Sequence, residues 1–187
     1  MKKTNCILIL VFLLAFQALG QENYFKRYGF HIAYLGEMVT HPGLSIGYEK
    51  FLNMEEKFDI FLRPTLGFYR HFRNNTTYMI TLESGFRRNF RSGVFVEQSI
   101  GIGYFNRWVN GDGQFYVNEN GGIEEKSGIG RSFLPFLANL GLGYHIQTNK
   151  AQFSPFIRPN FYWKMPFNET PNMQLALMVG ILYRSKK

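Results

Sequence analysis

The stretch MQLALMVGILY, which occupies residues 173–183, shows most clearly the pattern that decides the fold. Successive side chains of a β-strand point to opposite faces, so residues two apart share a face. One face of this stretch would carry Met173, Leu175, Leu177, Val179, Ile181 and Tyr183. The other face would carry Gln174, Ala176, Met178, Gly180 and Leu182. An apolar face that repeats every second residue predicts a long β-strand.

Alternation of this kind recurs along the chain after residue 20, and no helical periodicity replaces it. We predict strands at residues 27–38, 43–53, 57–71, 77–89, 93–108, 133–147, 152–166 and 172–184. The composition agrees, because 18% of the 187 residues are aromatic and aromatic residues are enriched in strands. The sequence therefore predicts an all-β protein with eight strands.

The second face of these segments decides between a soluble and a membrane sheet. It carries mostly Gly, Ala and Asn with isolated charges, whereas a water-facing sheet would be rich in Lys, Glu, Thr and Ser. Small residues suit the inside of a narrow barrel, and an unbroken apolar face suits lipid. Each segment reaches the about 9–11 residues that a tilted strand needs to cross a bilayer. We predict an eight-stranded antiparallel up-and-down transmembrane β-barrel, because a sheet in lipid must close.

The N-terminus has the pattern of a secretory signal peptide. Lys2 and Lys3 precede an apolar run at residues 7–16, and Ala18-Leu19-Gly20 resembles a cleavage site. We therefore assign residues 1–20 to a signal peptide and residues 21–187 to the barrel. The only cysteine, Cys6, lies in the signal peptide, so disulfides and thiolate metal sites are not expected in the barrel.

The connections alternate in length, which predicts an orientation. Short polar turns near residues 53–56, 89–92 and 147–151 would face the periplasm. The opposite loops include residues 109–132, a loop of about 24 residues. Aromatic residues cluster near both ends of the strands, as expected for interfacial girdles. The long loop would then lie outside the cell as the main contact surface.

Alternation also predicts a charged interior. The inward set would be His31, Glu49, Asp59, Arg63, Glu83, Arg87, Glu97, His145 and Arg158. Within it we predict a lumen charge cluster of Glu49, Arg63, Glu83, Glu97 and Arg158. We expect the two arginines to pair with the three glutamates, because buried charges need partners. Side chains fill an eight-stranded barrel, which favours a closed lumen over the alternative of a narrow ion path.

Two prolines and one glutamine fit this pattern poorly. Pro64 and Pro159 fall in the middle of predicted strands, where a missing backbone donor predicts a local bulge. Gln98 would point toward lipid.

The chain resembles the small eight-stranded outer-membrane barrels of the OmpA/OmpX type. The signal peptide, the eight alternating segments and the terminal strand at residues 175–183 carry the resemblance. Tyr183 matches the aromatic of the terminal signal that the barrel-assembly machinery reads, although residues 184–187 follow it here. The resemblance implies residence in the cell outer membrane and leaves the activity open.

The net charge of +8 suggests anionic partners. Arginine binds phosphate well, so outer-side cations could contact lipopolysaccharide. The candidates are Arg70, Arg73, Arg107, Lys126 and Arg131. Membrane lipid and an unidentified protein at the loops are further expected partners, and nucleic acid is not. We predict no catalytic residue, no metal and no cofactor. Asn110-Gly-Asp-Gly113 suits a hairpin turn and does not match a calcium loop.

Two alternatives to a structural or interaction barrel remain open. A lipid-modifying enzyme at the outer rim could use His41 and His71 with Glu37 or Ser132, although no spacing supports a triad. A soluble periplasmic carrier of lipocalin-like form is the other alternative.

Overall fold

The computed structural model describes residues 27–38, 40–55, 57–72, 75–109, 114–118, 121–126, 131–164 and 172–186. The strands in these residues are β1 (Tyr28–Glu37), β2 (His41–Met54), β3 (Phe58–His71), β4 (Asn75–Asn89), β5 (Val94–Val109), β6 (Gln114–Val117), β7 (Ile123–Lys126), β8 (Arg131–Phe133), β9 (Phe136–Tyr144), β10 (Ile146–Gln147), β11 (Ala151–Lys164) and β12 (Asn172–Ser185). The predicted signal peptide and the turn at residues 110–113 lie outside the described residues. Within the described part of the chain, no helix has the length and apolar character needed to cross a membrane.

The main sheet closes on itself as an antiparallel barrel. Ten strand segments belong to it, and β1 pairs with both β2 and β12, so that Ile32 lies opposite Ile46 on one side and Ile181 on the other. One barrel strand consists of three collinear pieces, β8, β9 and β10. On one side β8 and β9 pair with β5 in one register, and on the other side β9 and β10 pair with β11 in one register. The ten segments therefore form eight barrel strands, as predicted.

The strand limits agree with the predicted limits to within about two residues at most ends. Residues 57–71, predicted as one strand, correspond to β3, and residues 172–184 correspond to β12. The eight strands alternate direction with short connections at one end, around residues 55–57, 90–93 and 148–150. We call this the short-turn end. The opposite, long-loop end carries the connection of residues 110–130, in which β6 and β7 form a hairpin.

The two faces of the barrel differ as the alternation predicts. On β12, Val179 and Ile181 are 46% and 48% exposed, whereas Met178 and Leu182 are 2% and 1% exposed. Outward positions on the other strands repeat the pattern, with Ile32, Ile46, Leu66, Ile80, Ile102 and Leu140 all at least half exposed. An apolar belt of this kind marks a membrane-facing surface. Because the interior is charged and the exterior apolar, the fold is a transmembrane barrel and not that of a lipocalin-like carrier.

The bulges predicted at Pro64 and Pro159 are wrong. Pro64 stays opposite Leu82 on β4, and Pro159 stays opposite Leu177 on β12, with one register before and after each. An antiparallel residue directs its N–H and C=O to the same neighbouring strand, so a proline interrupts the ladder on one side only. Beside Pro64, the pairing of β3 with β2 stops after Gly47 and Thr65 and resumes at Lys50 and Leu62 in the same register. The intact neighbour therefore holds the register, and the shift in this pair of strands occurs instead between Phe51 and Asn53.

The lipid-facing belt predicts a depth-dependent cost of charge. Leu82→Arg, at the middle of β4, should lower the free energy of unfolding in phospholipid vesicles by about 2–4 kcal/mol, because an arginine there faces hydrocarbon. Ile146→Arg, an outward position at the short-turn end, should cost about 0–1 kcal/mol. Denaturant titration of both variants measures the difference. Equal costs at the two positions would contradict the membrane-facing assignment.

Candidate functional site

Six charged side chains meet in the middle of the lumen. We call the group of Glu49, Arg63, Glu83, Arg87, Glu97 and Arg158 the lumen ion cluster. All six point inward by the alternation of their strands, and none is more than 4% exposed. The five residues predicted as a charge cluster thus lie together, and the structure adds Arg87. Arg87 follows Glu83 by four residues on β4 and so shares its face, which is the signal that could have included it.

Arg63 connects the three glutamates. Its Nε donates to Oε1 of Glu49 at 2.8 Å, its Nη1 to Oε2 of Glu83 at 3.1 Å and its Nη2 to Oε1 of Glu97 at 2.8 Å. Three of its N–H directions are therefore used by carboxylates on β2, β4 and β5. These charge-assisted bonds tie one side of the barrel together through the lumen.

Arg87 and Arg158 complete the charge balance. Arg87 donates to Oε2 of Glu97 through Nε at 2.9 Å and to Oε2 of Glu49 through Nη2 at 2.8 Å. Arg158 donates to Oε1 of Glu97 through Nε at 2.6 Å, and its Nη2 lies 3.5 Å from Oε1 of Glu49. Three cations thus face three anions, so the buried group is formally neutral. Neutrality matters because an uncompensated buried charge is very costly.

Phenylalanine rings cover the arginines along the barrel axis. The guanidinium carbons of Arg63 and Arg158 lie 4.3 Å and 4.0 Å from the ring centres of Phe61 and Phe156. Each ring precedes its arginine by two residues, so the phrases at residues 61–64 and 156–159 produce the same contact on two strands. The ring of Phe95 lies 4.5 Å from the guanidinium carbon of Arg87. Rings and ion pairs thus lie together in the middle of the lumen, where each guanidinium also makes a cation–π contact.

The polar residues around Glu83 extend the cluster toward β5 and β9. Ser99 donates to Oε2 of Glu83 at 2.8 Å, and the Asn139 amide donates to the same oxygen at 2.7 Å. The other inward residues lie apart from the cluster. His31 is buried with its ring edge-on to Phe156, and Asp59 and His145 lie nearer the short-turn end.

The predicted outer-side cations separate into two groups. Arg70 is exposed on the outward face, with its guanidinium carbon 5.7 Å from the ring centre of Phe72. Arg107 and Arg131 are directly opposite each other on β5 and β8, on the face that carries buried Phe105. They therefore face the mouth of the barrel and not the surrounding leaflet. Arg73 lies outside the described residues, and of Lys126 only its place in β7 is described.

The rim histidines also come together. His41 Nδ1 lies 2.5 Å from Oε2 of Glu37, and the ring centres of His41 and His71 are 4.1 Å apart. Ser132 is engaged elsewhere, where its Oγ lies 2.7 Å from the Tyr104 hydroxyl and accepts a hydrogen bond from the Asn106 amide at 3.1 Å. Among the described residues, no three His, Cys, Asp or Glu side chains are arranged to hold a metal ion.

No protein-family model and no curated protein sequence matches this chain. Solved structures do match this chain. The chain is similar to Neisserial surface protein A, with 11% identity, a TM-score of 0.54 and coverage of 86% of this chain and 96% of that one. It is also similar to Ail of Yersinia pestis in complex with the heparin analogue sucrose octasulfate, at 13% identity, TM-score 0.53 and coverage of 84% and 97%. A third similar structure is the N-terminal β-barrel domain of Pseudomonas aeruginosa OprF, at 14% identity, TM-score 0.51 and coverage of 84% and 98%.

The closed sheet with its charged interior defines an eight-stranded transmembrane β-barrel. The comparisons show that it has the fold of the small outer-membrane barrels of the OmpA/OmpX type, which the sequence resemblance predicted. At sequence identities of 11% to 14%, the similarity to these structures shows the fold alone.

The lumen ion cluster predicts a large effect from one neutral substitution. Glu97 accepts hydrogen bonds from all three arginines, so Glu97→Gln would leave buried positive charge without its shared partner. We expect the free energy of unfolding in vesicles to fall by about 3–5 kcal/mol. Glu55→Gln, at an exposed glutamate that accepts from Asn53, is the control and should change it by less than about 0.5 kcal/mol. A Glu97→Gln variant as stable as the control would show that the cluster contributes little.

Proposed function

We propose that this protein is an outer-membrane barrel with a closed lumen that acts as a structural or interaction protein through its long-loop end. The lumen ion cluster is the observation that carries the proposal. Because ion pairs and phenyl rings occupy the middle of the lumen, the barrel has no described passage for a solute. Its function then depends on its surfaces and not on transport.

The orientation follows from the connections. Bacterial outer-membrane barrels have short turns on the periplasmic side and longer loops outside. The short-turn end, where β1 begins and β12 ends, is therefore assigned to the periplasm. The long-loop end is assigned to the cell exterior. Insertion would use the barrel-assembly machinery, which reads a terminal strand such as β12.

The hairpin of β6 and β7 supports a protein partner at the outside. Val117 and Ile123 are opposite each other next to its turn and are 69% and 74% exposed. Two adjacent exposed apolar side chains next to the turn of a loop hairpin suit contact with another protein. The loop of residues 109–132 is thus the proposed contact surface.

Anionic ligands are the second class of partner proposed for the long-loop end. Arg70 lies outward beside Phe72, where it would meet lipopolysaccharide phosphates at the level of the headgroups. The adjacent arginines at the mouth, Arg107 and Arg131, repel each other unless an anion lies between them. The similar protein Ail has been solved with a sulfated sugar, which supports testing such a ligand here.

We propose a non-enzymatic role for the rim. His41 and Glu37 have the hydrogen bond of a histidine oriented by a carboxylate. A nucleophile is also needed for lipid hydrolysis, and the candidate Ser132 contacts Tyr104 and Asn106 instead. These contacts of Ser132 support a non-enzymatic rim.

Outer-membrane residence predicts a specific behaviour in fractionation. After expression of the full chain in a Gram-negative host, we expect the protein in the outer-membrane fraction, released only by detergent. Unboiled samples should migrate differently from boiled samples in gels, because the closed barrel resists unfolding by the detergent. Recovery in a detergent-free wash, or a mobility unchanged by boiling, would contradict the proposal.

The arginine assignments predict separable binding effects. Arg70→Gln should weaken lipopolysaccharide binding by about tenfold, since a charge-assisted hydrogen bond is worth about 1.5–3 kcal/mol. The double variant Arg107→Gln/Arg131→Gln should weaken binding of sucrose octasulfate instead. Calorimetric titration of the detergent-solubilised protein measures both. Arg88→Gln, at an exposed arginine beside Phe58 near the short-turn end, is the matched control and should change neither affinity.

A further inference from the structure

The lumen opens below the ion cluster into a polar cavity at the short-turn end. We call it the vestibule; its volume is about 640 Å³, within the range of small-molecule sites. Its lining includes Met54, Asp59, Asn89, His145, Gln152 and Arg184. The proposed function assigns no role to these residues, which lie at the opposite end from the loops.

A chain of hydrogen bonds holds one wall of the vestibule. His145 Nδ1 lies 2.8 Å from Ser154 Oγ, and His145 Nε2 lies 3.1 Å from Asn89 Oδ1. The Asn89 amide donates to Oδ2 of Asp59 at 3.0 Å. A neutral His145 satisfies the whole chain when Ser154 donates to Nδ1 and Nε2–H donates to Asn89. The chain thereby orients the Asp59 carboxylate and uses one of its two oxygens.

Asp59 differs from the glutamates of the lumen ion cluster. It is 3% exposed, yet the ion pairs among the described residues do not include it. Arg87, directly opposite on β4, and Arg184 are neighbouring positive charges. A buried carboxylate beside a cavity favours a cationic group in that cavity, because buried charge needs a partner.

Two further residues of the lining supply a cation and an unused acceptor. Arg184 on β12 leans across Gly29, where a Cβ would come within 2.8 Å of Arg184 Cγ, and its guanidinium carbon lies 4.4 Å from the ring centre of Phe51. Gln152 is directly opposite Arg184 in the register and is 4% exposed. Its Oε1 has no hydrogen-bond partner among the described residues. An unpaired buried acceptor that lines a cavity favours a ligand with an N–H or O–H group.

We propose that the vestibule binds a small zwitterion, an amino acid or a short peptide. The ligand's ammonium group pairs with Asp59, its carboxylate pairs with Arg184, and a ligand N–H donates to Gln152 Oε1. A simple anion would meet the Asp59 charge, and a simple cation would meet the Arg184 charge. A ligand that carries both charges pairs with both residues. The site goes beyond the proposed function and does not depend on it.

Methyl NMR of the full chain in detergent micelles tests this site with glycylglycine as the probe. The methyl group of Met54 lines the vestibule, whereas exposed Met38 lies at the long-loop end and serves as an internal control. With ¹³C-methyl-labelled methionine, we expect a saturable shift of Met54 and no shift of Met38. The capped peptide N-acetylglycylglycine amide, which carries neither charge, should bind at least roughly tenfold more weakly.

The variant Asp59→Asn removes the negative charge and keeps an oxygen that can accept from Asn89. It should weaken glycylglycine binding by roughly tenfold or more, whereas Arg88→Gln on the outer surface should not. The proposal is overturned if Met54 does not shift, if the capped peptide binds equally well, or if Asp59→Asn binds like the wild type. Should that variant fail to fold, the comparison of capped and free peptide on the wild type decides. Because the measurement uses solubilised protein, its outcome is separate from location and loop function.

Discussion

Backbone hydrogen bonding in a medium without water is the constraint on which the rest of this structure depends. Hydrocarbon offers no partner for an open strand edge, so β1 must pair with β12 as well as with β2. Closure with eight strands produces a narrow lumen and makes each strand apolar outside and compact or charged inside. The two prolines are compatible with this constraint. Pro64 and Pro159 each lose pairing with one neighbouring strand only and keep their register with the other.

The narrow lumen then determines the chemistry of the interior. Six charged groups that cannot reach bulk water must neutralise one another, and the lumen ion cluster does so with three arginines and three glutamates. Its bonds cross from β3 to β2, β4 and β5, and from β11 to β5. The same contacts that join the walls also occupy the middle of the lumen.

The two ends of the barrel are consequently independent surfaces. The long-loop end carries exposed apolar residues of the β6–β7 hairpin and the arginines of the rim, which are the contacts proposed for proteins and anions. At the short-turn end, Asp59 and Arg184 place opposite charges around a polar cavity. Because the ion cluster separates the two ends, a ligand at one end does not need to affect the other.

The sequence by itself determined the strands, their faces and the inward position of the six residues of the lumen ion cluster, because a period of two residues is a local property that a membrane-spanning strand must keep. The terminal stretch at residues 173–183 and the inward Glu49, Arg63 and Glu97 followed directly from it. Only the tertiary structure decided that Glu97 accepts hydrogen bonds from three arginines and that His145 orients Asp59 through Asn89. These contacts join strands far apart in the chain, and they depend on how the register staggers each strand and how far each side chain reaches, which no local pattern encodes.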